Sequence, residues 1–209
     1  MASGRDPARV YVNTAGLEST PAVDLPAQFL REAIPGHHYQ IALQQERTQL
    51  PRFRRFGGSP AFIAGWGLYA ASLGEELGVY HDPADRVGAL LLQQQCAAGM
   101  VIDTGVHAQQ WTRQRALEYA HAQLPLNDVA LANLVDRIIA LPGEALSCTV
   151  GYLKLQGLRT HAQQALGSRF DLLSFHTEVL RNGALPLDLL EGQIKTWIET
   201  PVAAPPKVE

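Results

Sequence analysis

With 209 residues the chain is long enough to bury one substantial core, and 46% hydrophobic with 18% charged residues is the balance of an ordinary globular protein. The formal net charge of -3 supplies no basic field to gather a polyanion, which removes nucleic-acid binding from consideration. The first residues lack the apolar core of a signal peptide and no segment has the apolar length of a membrane span, so no membrane partner and a cytoplasmic location are expected.

Taken in order, residues 1–25 are poor in helical period. The alternating run Val10-Tyr11-Val12-Asn13 reads as a strand or an extended arm. From residue 26 the apolar spacing becomes helical through Phe29, Leu30, Ala33, Ile34, Ile41 and Leu43, and Pro35 should kink or interrupt that helix. Arg52 to Pro60 is basic and turn-rich, hence a loop. A second helix starts at Ser59 or Pro60 and runs to Leu77, where Gly78 stops it. Asp82-Pro83 opens a third, unusually long one reaching Val106. Thr112 and Asn127 are N-caps for two more, the latter with a stripe of Val129, Leu131, Leu134, Val135, Ile138 and Ile139.

Further helices run from Glu144 to about Gln164, from Phe170 to Leu180 with Asn182-Gly183 as the stop, and onward from Pro186. Pro201 to Glu209 reads as a frayed tail. The expectation is all-α: a single multi-helix domain of seven or eight helices over residues 26–200, between an N-terminal arm, 1–25, and a tail, 201–209. Cys96 and Cys148 each stand alone in helical surroundings. They suggest buried small hydrophobes rather than a disulfide or a metal knuckle.

Chemistry concentrates in Arg31-Glu32-Ala33-Ile34-Pro35-Gly36-His37-His38, a carboxylate and two imidazoles around a Pro-Gly break. Asp103 and His107 are four apart, so on one helix a carboxylate could orient an imidazole. Trp66, Tyr69 and Trp111 read as core more readily than as a ligand platform.

At Glu32 to His38 the chain resembles the bacterial family catalogued as domain of unknown function 885, whose members are read as zinc peptidases and carry His-Glu-Ala-x-Pro-Gly-His-His here. The likeness includes Tyr11-Val12-Asn13-Thr14 and continues at Gly65-Trp66-Gly67-Leu68-Tyr69-Ala70, Val101 to Ala108, Pro142-Gly143-Glu144-Ala145-Leu146-Ser147 and Asn182 to Leu187. Family members are more than twice as long. The resemblance therefore implies a zincin-like C-terminal half, and with it a second chain, or another copy of this one, to supply the rest.

The same resemblance implies losses. Arg31 stands at the first His ligand, and a guanidinium offers only donors. The family's Glu-Gly-Trp-Ala-Leu-Tyr-Ala-Glu reads Ala64 to Ala71, both acids having become alanine. Gly99 replaces an Arg, and Cys148 a Tyr. The expectation is a metal-free, cofactor-free, non-peptidase subunit that stabilises or completes a partner's site. The alternative is a repurposed enzyme acting on a small anionic or amine-bearing metabolite in specialised biosynthesis. A zinc-dependent peptidase ranks last. Glu32 is the candidate base, and Arg31, His37, His38, Asp103 and His107 are the candidate binding residues, with Arg31 able to hold a small anion.

Overall fold

The computed structural model describes residues 9–11 and 25–200. The expected N-terminal arm falls largely outside that range and the expected tail wholly so. Among the described residues there is no strand. The helices are α1 Leu25–Glu32, α2 His37–Glu46, α3 Arg52–Phe56, α4 Pro60–Ser72, α5 Pro83–Gln109, α6 Arg113–Gln123, α7 Asp128–Ala140, α8 Glu144–Leu166, α9 Leu172–Leu180 and α10 Leu187–Glu199, with one 3-10 turn at Gly167–Arg169. The domain is all-α, as its periodicity indicates.

Local chemistry sets many of the ends. Asp82 closes a capping box with Asp85 at the start of α5, while Thr112, Asn127 and Asp171 accept from the Arg115, Ala130 and Ser174 amides. The count of ten exceeds the seven or eight expected for two reasons. The first expected helix is two, because the chain stops at Glu32, passes a cis Ile34–Pro35 bond and restarts at His37. The expected Arg52–Pro60 loop also contains α3, which tertiary contacts hold: the Gln44 amide donates to the Arg54 and Gly57 carbonyls, each at 2.6 Å. Conversely, α4 ends at Ser72 rather than Leu77, and the Gly74 carbonyl closes the turn beyond it by accepting from Val79 and Tyr80.

Helix α4 is the axis of the fold, lying along α8 and covered by α1 and α2. Three apolar clusters follow from this arrangement. One, around Trp66, Tyr69, Leu155, Phe175, Leu190 and Ile194, joins α4 and α8 to α9 and α10. A second, with Leu30, Leu68, Leu92 and Cys148, joins α1, α4, α5 and α8. The third, with Ile102, Ala120, Leu131 and Val135, lies between α5, α6 and α7. The functional question lies where the second and third meet.

Candidate functional site

A cavity of about 330 Å³ opens between these clusters. Helical period explains its walls. Leu92, Gln95, Cys96 and Gly99 share one face of α5; Leu134, Arg137 and Ile138 share one face of α7; Glu144, Ala145 and Cys148 come from the first turns of α8. Ala64 of α4 and Arg31 at the end of α1 complete the lining. Four positions where the family resemblance places a ligand or a catalytic side chain thus converge on one hollow, and they carry Arg31, Ala64, Gly99 and Cys148.

Cys148 is not a free thiol. It forms a disulfide with Cys96 across the cavity wall, contrary to the expectation of two isolated buried cysteines. That expectation treated each cysteine within its own helix, whereas facing helices bring together residues 52 apart. A partial signal was present, since Cys148 stands where the resemblance implies a Tyr.

The electrostatics of the cavity are simple. The Arg31 Nε is buried without a hydrogen-bond partner, and its ionic neighbour Glu32 lies 3.6 Å away. Opposite, Arg137 donates to Glu144 at 2.8 Å, so that carboxylate is already engaged. The remaining wall is mostly apolar, from Leu92, Leu134 and Ile138. Sequence reasoning missed Gln95, Arg137 and Glu144. Glu144 belongs to a quoted motif, and Arg137 follows from the apolar stripe of its own helix.

The other expected site residues are placed elsewhere. Glu32 is exposed and does not line the cavity. The His37 ring packs against α4 at Gly67, where an added Cβ would overlap it. In this chain the missing side chain at Gly67 leaves the space that the imidazole fills. Burial holds the His37 pKa below its ordinary value; Glu32 opposes that shift and Arg31 adds to it. His38, next along, is exposed.

Asp103 and His107 do not pair. The buried Asp103 carboxylate accepts from the Gly143 and Ala145 amides at 3.0 and 3.2 Å, fixing the turn that starts α8. His107 Nε2 is 3.0 Å from the Ile138 carbonyl, near the end of α7. Each satisfies a neighbouring helix terminus, which outcompetes an i, i+4 contact on their own helix. Trp66 and Tyr69 are core, and Trp66 donates to the Pro35 carbonyl at 2.8 Å, tying α4 to the break between α1 and α2. Trp111 is part-buried, with the Arg115 guanidinium over its ring.

This donor set does not fit a zinc ion. Among the described residues no three His, Cys, Asp or Glu side chains gather into a metal-holding group. No histidine faces the cavity, its cysteines are bonded to each other, and its one carboxylate is paired.

A solved structure from Colwellia psychrerythraea, described as a "putative lipoprotein", superposes with a TM-score of 0.87 at 36% identity, over 90% of this chain and 32% of that one. A second, from Shewanella oneidensis and described as a "putative lipoprotein of unknown function", gives 0.74 at 22% identity, over 82% and 31%, and speaks to the fold. The chain therefore spans about a third of these relatives, a smaller share than the half inferred from sequence. No curated protein matches it significantly. The expected cytoplasmic location is overturned, since lipoproteins are anchored at membranes or exported; among the described residues, no helix is long and apolar enough to cross a membrane. The family described as bacterial protein of unknown function, DUF885, matches residues 2–194, and this chain belongs to it.

Proposed function

We propose that this chain is a metal-free, non-hydrolytic member of its family that acts as a subunit, folding against a partner protein and stabilising or completing its site. One observation carries the reading: four of the positions where the resemblance implies a ligand or catalytic group meet in a single cavity and offer Arg31, Ala64, Gly99 and a disulfide-bonded Cys148, while a fifth, Ala71, is buried in the core. None of these can hold zinc or activate a water. Glu32, the residual candidate base, lies outside that cavity beside Arg31, which favours a structural role over acid-base catalysis. The partner is supported by exposed Phe29, Ile34, Phe53 and Phe56 on the α1–α3 segment. The relatives' description and the disulfide both favour an oxidising compartment outside the cytoplasm.

Size-exclusion chromatography with light scattering and in-line elemental detection tests the reading on untagged protein purified with zinc present. The expected result is an assembly heavier than the 22.8 kDa chain with no stoichiometric zinc. One zinc per chain would overturn the metal-free part, and a stable monomer the subunit part.

A further inference from the structure

We infer that the cavity is a binding site for a small monocarboxylate with an apolar body, held by Arg31. This rests on the proposed loss of the metal site and names what the emptied space accepts. The Arg31 Nε is buried and lacks a hydrogen-bond acceptor, and its nearest carboxylate, exposed Glu32, is beyond hydrogen-bonding distance. A buried donor without an acceptor is costly, and a ligand carboxylate is the group whose geometry matches a guanidinium edge.

Charge and lining narrow the class. Arg137 and Glu144 are hydrogen-bonded to each other, whereas Arg31, whose ion-pair neighbour Glu32 lies outside the lining, brings to the space a cation with an Nε that has no hydrogen-bond acceptor. A single cation suits a monoanion better than a phosphate. Phosphate sites draw on helix-start amides, and those of Gly143 and Ala145, at the nearby start of α8, are already taken by Asp103. Leu92, Leu134 and Ile138 offer apolar surface to the remainder of the ligand, and about 330 Å³ is enough for a phenyl-sized body.

The test compares 3-phenylpropionate, 3-phenylpropanol, 3-phenylpropylamine and inorganic phosphate by isothermal titration calorimetry on full-length protein dialysed against a chelator. The carboxylate is expected to bind saturably in the millimolar range or tighter, at least about tenfold tighter than the other three. Arg31→Gln should bring it down to the alcohol's level, Arg31→Lys should restore part of the difference, and Ala64→Leu should weaken acid and alcohol alike by filling the space. Equal binding of acid and alcohol, phosphate binding as tight as the carboxylate, unchanged binding by Arg31→Gln, or no saturation would each overturn the inference. Because metal is removed beforehand, a zinc-binding result would count against the proposed function without deciding this comparison.

Discussion

His176 is the side chain whose burial has the plainest consequence for pH. Its Nε2 sits 2.8 Å from the Tyr69 hydroxyl, its ring packs against Trp66 and Phe175, and the Tyr69 ring packs against Trp66. Burial, reinforced by the Arg159 guanidinium, lowers its pKa to about 4, while burial pushes Tyr69 up to about 12. Arg159 is held by Glu76 through two hydrogen bonds at 2.8 and 2.7 Å, so it remains a fixed cation near the ring. An imidazole that stays neutral in the fold but protonates near 6.5 when unfolded leaves stability intact above that pH and erodes it as pH falls towards 4. The ring is only part-buried, so about 1–2 kcal/mol is the expected loss across that window. Urea melts at pH 7, 6, 5 and 4 should show it, and His176→Gln, which keeps an acceptor for Tyr69, should flatten the dependence by that amount. Identical slopes for the two proteins would mean that the ring is not the source. Sequence could not single out His176: nothing in its helix marks it, and its environment is made by α4 and α8, more than a hundred and about twenty residues away respectively. Trp66 and Tyr69 were legible as core because they fall on the apolar period of their own helix.

Between elements, the decisive contact is the close approach of α4 and α8. Gly65 and Gly151 face each other backbone to backbone, and a Cβ on Gly151 would overlap the Ala61 carbonyl. Relief requires the helices to separate, so Gly151→Ala should destabilise by about 2–3 kcal/mol. Gly99 on α5 is the contrasting case: an added Cβ would lie 3.6 Å from Ala145 Cβ and 3.9 Å from Ile138 Cδ1, ordinary contacts. Gly99→Ala should be neutral or stabilise by up to about 1 kcal/mol through helix propensity. Chemical denaturation of both variants reads the difference, and equal effects would sink the packing argument. Helix starts at Pro83, Thr112, Asn127 and Glu144 could be read from sequence because capping and Pro placement act within a few residues. The separation of α1 from α2 was half legible, since Pro35 announced an interruption but not its length. The α3 turn was not, because its stability comes from Gln44 and the segment around Asn182 rather than from its own residues. The same limit applies to the site: the departures from family pattern could be seen one by one, but only packing shows that Arg31, Ala64, Gly99 and Cys148 share a cavity.

For the molecule as a whole, the bond between Cys96 and Cys148 links α5 to α8 where the second and third clusters meet, so its state bears on both clusters. Closing a loop of 52 residues removes enough unfolded-chain entropy to stabilise by up to about 4 kcal/mol, with about 2–4 kcal/mol the usual range. For a chain of this length that corresponds to a fall in Tm of roughly 6–12 °C on reduction. Such a contribution is retained only in an oxidising compartment, so location and stability are coupled in this protein. Protein recovered from a bacterial periplasm should show no reactive thiol under denaturing conditions and two after reduction, and Cys96→Ala/Cys148→Ala should melt at the temperature of the reduced wild type. The same comparison also separates the bond from the cavity it borders. Reduction should lower the melting temperature and leave the charge lining the hollow unchanged, because the thiols it forms are neutral and the cation Arg31 is carried by α1, outside the α5–α8 link. Two titratable thiols in the exported, unreduced protein, or a double-alanine variant melting with the oxidised form, would show that the bond does not contribute to the fold's stability.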